Sequence, residues 1–314
     1  RDDKLVQQVP RRQFGSTNVQ PGMQFHAQTS GGHTRVVTVT RIVGDMVGRI
    51  RLRAGATAVL NYLALAGQAS PDTLATLEGV PLSLPLGNSS VAYRFVPEEA
   101  YVSLNAASPE LLRTLIGNYP QGVSDVDALV NALVDWRDGD DIVTDSGAEA
   151  GEYASAGLAY GPKNAPLLSV DELGLVLGFD QDLLDWLRPY VSVASMSDGI
   201  DPRFADPELV MMLDTQGRFS EQDLQAMQAD PAVADAMALD SSFFAASRSG
   251  VYRLLVQGSG GMGLKRRQAI EVIAAFDAVV VPPAAGLDAE VLGPAPLPYR
   301  IIQWNEFPPL DVDG

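Results

Sequence analysis

Cysteine is absent from the 314 residues, which excludes disulfides, thiolate metal sites and cysteine nucleophiles while fitting either the cytoplasm or the periplasm. Histidine is nearly absent. His26 and His33 are the two copies, both in or beside a low-complexity N-terminal stretch and without an HExxH spacing, so a zinc site or a His-dependent triad has little to be built from. Positive charge is scarce too. The chain has 22 Lys and Arg against 39 Asp and Glu, a formal net charge of −17 and a pI near 4.4. Nucleic acid and anionic headgroups are repelled by such a balance, and partners should be cationic or reached through local patches. No apolar run approaches the ~20 residues a membrane helix needs, the best being "AGATAVLNYLALAG", and Arg1 reads as a processing boundary, not the start of a secretory signal. The serines lack a GxSxG elbow, which removes the commonest hydrolase signature.

What is present is 46% apolar content, enough for a real core in one large or two to three small domains. Residues 1–34 show neither period 2 nor period 3.6 and read as a flexible polar arm. From Arg35 to Gly67 apolar residues recur at helical spacing, with Ile42, Val43, Met46, Ile50, Ala54, Ala58 and Leu65 near one face and arginines at 41, 49, 51 and 53 on others. A stem helix is expected there, and its stripe is too long to be covered by a small sheet alone. Ile42, Met46 and Ile50 are therefore candidate partner-binding residues.

"VAYRFV" and "AYVSLN" read as short strands that complete a first sheet segment within 35–104. A helical block occupies 105–240, with Ser108 capping "SPELLRTL" and Ser169 capping "SVDELGLVLG", where Glu172 stands at the box position and Gly178 at the stop. "GVYRLLVQG", "KRRQAIEVIAAFDAVVV" and "PYRIIQWNEF" read as closing strands in 241–314. Strands near Val91 and Val251 need each other to form a sheet, so the helical block is predicted to be an insertion. The fold class expected is α+β. "LNAASPELLRTL" and "IDPRFADPELVMML" also echo each other, which suggests related helical units beginning at Asn105 and Asp201.

Two motifs point to chemistry. "GSGGMG", Gly258 to Gly263, satisfies GxGxxG after a strand, but no βαβ unit accompanies it and a hairpin connection is the simpler reading; a nucleotide-dependent enzyme is the alternative. The second is "DWRDGDDIVTDSGAEAGEY", Asp135 to Tyr153, with seven carboxylates around one arginine. A carboxylate pair could serve a glycosidase, yet no aromatic platform surrounds this one. Asp138, Asp140 and Glu149 fall at positions 1, 3 and 12 of the calcium loop, whereas Ile142 and Val143 break positions 5 and 6, so the stretch is not an EF-hand. A hard cation held another way suits it better. Calcium takes six to eight oxygens in flexible geometry, and the candidate ligands are Asp138, Asp140, Asp141, Asp145, Glu149 and Glu152, with Trp136 and Tyr153 anchoring the ends.

Six stretches, "LNAASPELLRTL", "ALVDWRDGDD", "GAEAGEY", "YGPKNAPLLSVDELGLVLGF", "LRPYVSV" and "GIDPRFA", together resemble the K-type minor pseudopilins of the bacterial type II secretion system. The likeness spans roughly Arg53 to Ala205, with a weaker echo in the final strands. It implies a pilin-like long N-terminal helix and antiparallel sheet with a large inserted all-helical domain. It implies as well a place at the tip of a periplasmic pseudopilus beside two other minor pseudopilins, priming assembly for protein export and contacting exported proteins. Calcium in the acidic loop after the tryptophan is a further implication, and catalysis is not expected. Membrane attachment in that family is through an N-terminal hydrophobic helix, which the polar arm with Pro10 and Pro21 does not provide. The rival reading is a helix-hairpin-helix nucleic-acid module, because "NAASPELL" opens such units as well; the charge balance and the lack of a basic Gly-rich turn weigh against it.

Overall fold

A computed structural model describes residues 24–28, 34–69, 71–229, 243–244, 249–258, 268–276 and 298–307, the first two segments up to residue 45 by backbone alone. Part of the stretch expected to be an unstructured arm is paired. Gln24–Gln28 (β1) runs antiparallel to Thr34–Thr38 (β2), with His26 opposite Val36. Val36, Val37, Thr38, Val39 and Thr40 are β-branched, which favours extended backbone over a first helical turn. The stem helix α1 accordingly starts at Val39, later than Arg35, and runs to Ala69. Its buried side is formed by Leu52, Ala56, Val59, Leu60 and Leu63, spaced three and four apart. Gly55 lets this helix approach the sheet, since a Cβ there would lie 2.6 Å from Val91 Cγ1. A short helix α2, Pro71–Ala75, follows.

Leu82–Leu86 (β3) and Ser89–Pro97 (β4) form a hairpin, with Gly87 at φ 62° in its turn. The chain then leaves the sheet through a 3₁₀ turn at Glu98–Ala100 and enters the helical unit at Val102–Ser103 (β5). That unit comprises α3 Pro109–Gly117, α4 Val126–Arg137, α5 Ala150–Ser155, α6 Gln181–Leu187, the strand β6 Val191–Ser192, α7 Pro207–Leu213 and α8 Glu221–Ala229. The predicted cap at Ser108 is present, its hydroxyl accepting the Leu111 N–H at 3.2 Å with Pro109 leading the helix. Its echo at Asp206 caps α7 in the same way, again before a proline. Ser169 caps too, but the segment it opens, Val170–Leu175, is a 3₁₀ helix, and Glu172 at the box position takes the Leu168 N–H and Lys163 as well as the Ser169 N–H. The expected end of the block near Leu239 lies outside the described residues.

The chain returns in Val251–Gly258 (β7), Ala269–Phe276 (β8) and Tyr299–Phe307 (β9), giving a five-stranded sheet ordered β3-β4-β7-β8-β9 with every neighbour antiparallel. β4 and β7 pair from Val91 opposite Gly258 to Pro97 opposite Tyr252, so the helical unit is inserted between adjacent strands, as the sequence order required. Within the strand expected over "KRRQAIEVIAAFDAVVV", the residues Ala269–Phe276 are paired as β8, and 265–267 and 277–281 lie outside the described residues. β5 and β6 pair in parallel, closing the helical unit on itself. Among the described residues no helix is long and apolar enough to cross a membrane.

Candidate functional site: the acidic loop of the helical unit

α4 ends at Arg137, and the loop that follows is held from beneath by Asp135, a fully buried residue on the last turn of that helix. Its carboxylate accepts the Ala148 N–H at 2.8 Å and the Thr144 N–H at 3.2 Å. Gly147 between them has no room for a side chain: a Cβ would lie 2.1 Å from Asp135 Oδ2. Asn131, one turn back on α4, donates to the Asp145 carbonyl at 2.6 Å. The loop is therefore folded by bonds from its own helix to its backbone, which leaves the other carboxylates free to point elsewhere. Trp136 and Tyr153, both buried with ring centroids 6.1 Å apart, anchor its two ends as expected, and the Tyr153 hydroxyl accepts the Leu177 N–H.

The single arginine offsets part of this charge at Asp138, whose carboxyl burial pushes up and the guanidinium pulls part of the way back, but the arginine's hydrogen bonds go elsewhere. Arg137 Nη2 donates to the Ala107 carbonyl at 2.8 Å and Nη1 to the Leu104 carbonyl, so its guanidinium ties α4 to the start of α3. Among the described residues none of the six candidate ligands is in a salt bridge.

Four of those six, Asp138, Asp140, Asp141 and Glu149, act on one another through their charges. Burial pushes the Glu149 carboxyl up, and the negative charges of Asp135, Asp138, Asp141 and Asp140 push it further. Asp138 is raised as well, by burial first, partly offset by a backbone hydrogen bond from Asp140, with the Asp140 and Asp135 charges adding to the rise. Asp140 Oδ1 accepts the Ile142 N–H at 2.9 Å, an Asx turn that shapes the tip. The remaining two are placed differently. Asp145 is exposed and contributes its backbone carbonyl to Asn131, while Glu152, also exposed, accepts the Glu149 N–H at 3.0 Å as part of the cap of α5.

One member was missed from the sequence. Asn164, in the left-handed region at φ 50°, donates to the Asp140 carbonyl at 3.0 Å and to Asp141 Oδ1 at 2.9 Å. Its own Oδ1 is buried without a hydrogen-bond partner, and so are Asp138 Oδ1 and Glu149 Oε1. A positive-φ asparagine in "PKNAP" is the local signal that could have drawn attention to it. Among the described residues no three His, Cys, Asp or Glu side chains converge closely enough to form a cation cluster by themselves.

Residues 93–196, from β4 through the acidic loop to just beyond β6, match the family model of type II secretion system protein K. Over 82 residues the chain is 32% identical to the type II secretion system protein K of Pectobacterium carotovorum subsp. carotovorum, an alignment covering 26% of this chain and 25% of that relative. The chain thus spans about a quarter of the length of that relative in the match. A chain of the crystal structure of the GspK-GspI-GspJ complex from the enterotoxigenic Escherichia coli type 2 secretion system aligns with 83% of this chain and 99% of its own, at a TM-score of 0.49 and 17% identity. The acidic loop lies wholly inside the protein K match, as do Asn105 and Asn164.

Away from the matched segment, Met46 and Ile50 are 57% and 62% exposed, on the part of α1 that precedes Leu52, the first of its core residues that pack on the sheet. Ile42 belongs to the same helix, but its side chain lies outside the described residues. Ala54, which helical spacing placed with the apolar stripe, is exposed too, and the residues that meet the sheet come from the other face. "GSGGMG" lies outside the described residues beyond Gly258, the last residue of β7. The strands on its two sides are antiparallel neighbours, the relation of a hairpin and not of a βαβ unit.

Proposed function

We propose that the chain is a minor pseudopilin of a type II secretion system, a structural component that primes assembly of the pseudopilus at its tip on the periplasmic side of the inner membrane. The observation that carries this reading is the match of residues 93–196 to the protein K family model, with the helical unit inserted between paired strands of a helix-backed antiparallel sheet. The helix α1 supplies the partner face. Met46 and Ile50 stand exposed on the part of the helix that precedes its packing on the sheet, and a free apolar stripe of this kind suits a helix of another pseudopilin. The solved relative is a complex of GspK with GspI and GspJ, which supports partners of that kind here. Exported proteins are further candidate contacts, and no catalytic role is assigned. Co-purification with the neighbouring minor pseudopilins tests the reading; a chain that elutes alone when all are present overturns it.

The acidic loop fits a calcium ion. Asp138 Oδ1, Glu149 Oε1 and Asn164 Oδ1 are buried acceptors lacking donors, and an orphaned buried acceptor costs roughly 1–3 kcal/mol unless a donor or a cation satisfies it. Asp138, Asp140, Asp141 and Glu149 would hold the ion together with the Asn164 amide oxygen, a mixed oxygen set of the kind calcium accepts. Asp145 and Glu152 remain outer candidates. The ion would supply positive charge where four carboxylates repel one another, and would fix the loop tip against the segment bearing Asn164. Metal analysis of the purified complex, followed by chelation, tests this assignment.

A further inference from the structure

The buried apolar residues fall into two clusters, one between α1 and the sheet and the other within the helical unit. They do not merge. Two clefts border the place where the units meet, of about 720 Å³ and about 190 Å³, and Tyr101 lines both. Phe204 of the helical unit lies against Gly79, and the rest of the contact described at this seam is polar. Glu98 and Glu99, adjacent and fully buried, stand where the chain leaves the sheet. Glu98 Oε1 accepts Arg253 Nε of β7 at 2.9 Å, and Oε2 accepts Arg253 Nη2 at 3.3 Å and the Ser192 hydroxyl of β6. One carboxylate therefore bridges the sheet and the helical unit. Glu99 does the same with its neighbours: Oε1 accepts the Ser249 N–H that leads into β7, and its carbonyl accepts the Asp201 N–H of the helical unit, both at 2.7 Å. The Tyr101 ring lies against the Arg253 guanidinium, 3.8 Å from its carbon to the ring centroid. Burial works against the charge on Arg253, yet Glu98, Tyr101 and Glu271 beside it keep the guanidinium pKa above its ordinary value.

We propose that Glu98 and Glu99 form a clamp that couples the sheet and the inserted helical unit into one rigid, cooperatively unfolding body. Two apolar cores without a shared boundary would otherwise open independently, since local units of a fold lose structure at their own free energies unless contacts tie them. A buried carboxylate is suited to such a tie. Parting the units takes the Ser192 hydroxyl from the Glu98 carboxylate and the Asp201 N–H from the Glu99 carbonyl, and losing hydrogen bonds to buried groups, one of them charged, costs more than losing an exposed contact.

Native-state hydrogen exchange on the full chain tests the clamp without any substitution. The slowest amides of the sheet, around Leu254 and Val272, and those of the helical unit, around Leu115 and Leu133, should open with the same free energy and the same denaturant dependence. Unequal values overturn the proposal. In calorimetry the wild type should melt in one transition. The paired variant Glu98→Leu/Arg253→Met, which removes both charges together, should split that transition in two, whereas Lys163→Met, which breaks an ion pair wholly within the helical unit, should shift it without splitting. A single shifted transition in the paired variant would mean that the clamp contributes stability without coupling, and would refute it.

Discussion

Asp135 Oδ2 occupies the space in which a side chain at Gly147 would begin, 2.1 Å from that Cβ position, while the same oxygen accepts the Ala148 amide. Gly147→Ala must therefore move either the buried carboxylate or the loop. Overpacking of this sort costs roughly 1–3 kcal/mol. A denaturation midpoint that drops without a change in slope would report it, and an unchanged midpoint would mean that Asp135 does not organise the loop.

The calcium assignment predicts a ligand-dependent melting temperature. An ion that binds the folded form alone adds about 2.7 kcal/mol at 100 times its dissociation constant. Glu149→Ala should abolish most of the difference between calcium and chelator, and Asn164→Ala should reduce it while leaving the chelated protein close to wild type. If wild-type melting curves with calcium and with chelator superimpose at low ionic strength, the assignment fails.

The pH dependence has a definite sign. Glu149 is raised in the fold from the ordinary 4.5 by burial and by its acidic neighbours, so the folded chain holds that proton more tightly than the unfolded chain. Stability from this group is then greatest below the unfolded value and is lost as pH rises through the raised folded value. With chelator present, Glu149→Gln, which cannot ionise, should gain stability over wild type progressively as pH climbs past about 4.5. Saturating calcium should reverse the order, because the charged carboxylate is then the better ligand. A pH-independent difference between the two proteins would show that Glu149 titrates as an ordinary surface acid.

Met46→Asp with Ile50→Asp should leave folding stability within about 0.5 kcal/mol, as expected for exposed positions. Co-elution with partner pseudopilins should nevertheless be lost. Retained co-elution at unchanged stoichiometry would place the interface elsewhere on the chain.

Much of this architecture was legible because its causes are local. Ser108 before Pro109 announces a helix start through a bond that spans three residues. The insertion of the helical unit was legible as well, since strands around Val91 and Val251 needed each other to form a sheet. The crowd of carboxylates between Trp136 and Tyr153 was likewise visible as a question that charge repulsion poses on its own.

Tertiary contacts decided the rest. Helical spacing put Met46, Ile50 and Ala54 in one stripe, but whether that side or the one bearing Leu52, Val59 and Leu63 meets the sheet depends on close approach at Gly55 to Val91, 36 positions away. "DWRD" suggested an arginine among acids, yet the guanidinium is drawn to carbonyls of the α3 entry, which compete for it only once α3 and α4 are packed. Asn164 joins Asp140 and Asp141 across more than 20 residues, whereas Asp145, nearer in sequence, is exposed and lends its carbonyl to Asn131. Periodicity and caps report forces that act within a turn or two of the chain. Which polar groups end up buried together is settled by the packing of whole elements, and that energy has no signature in any short stretch.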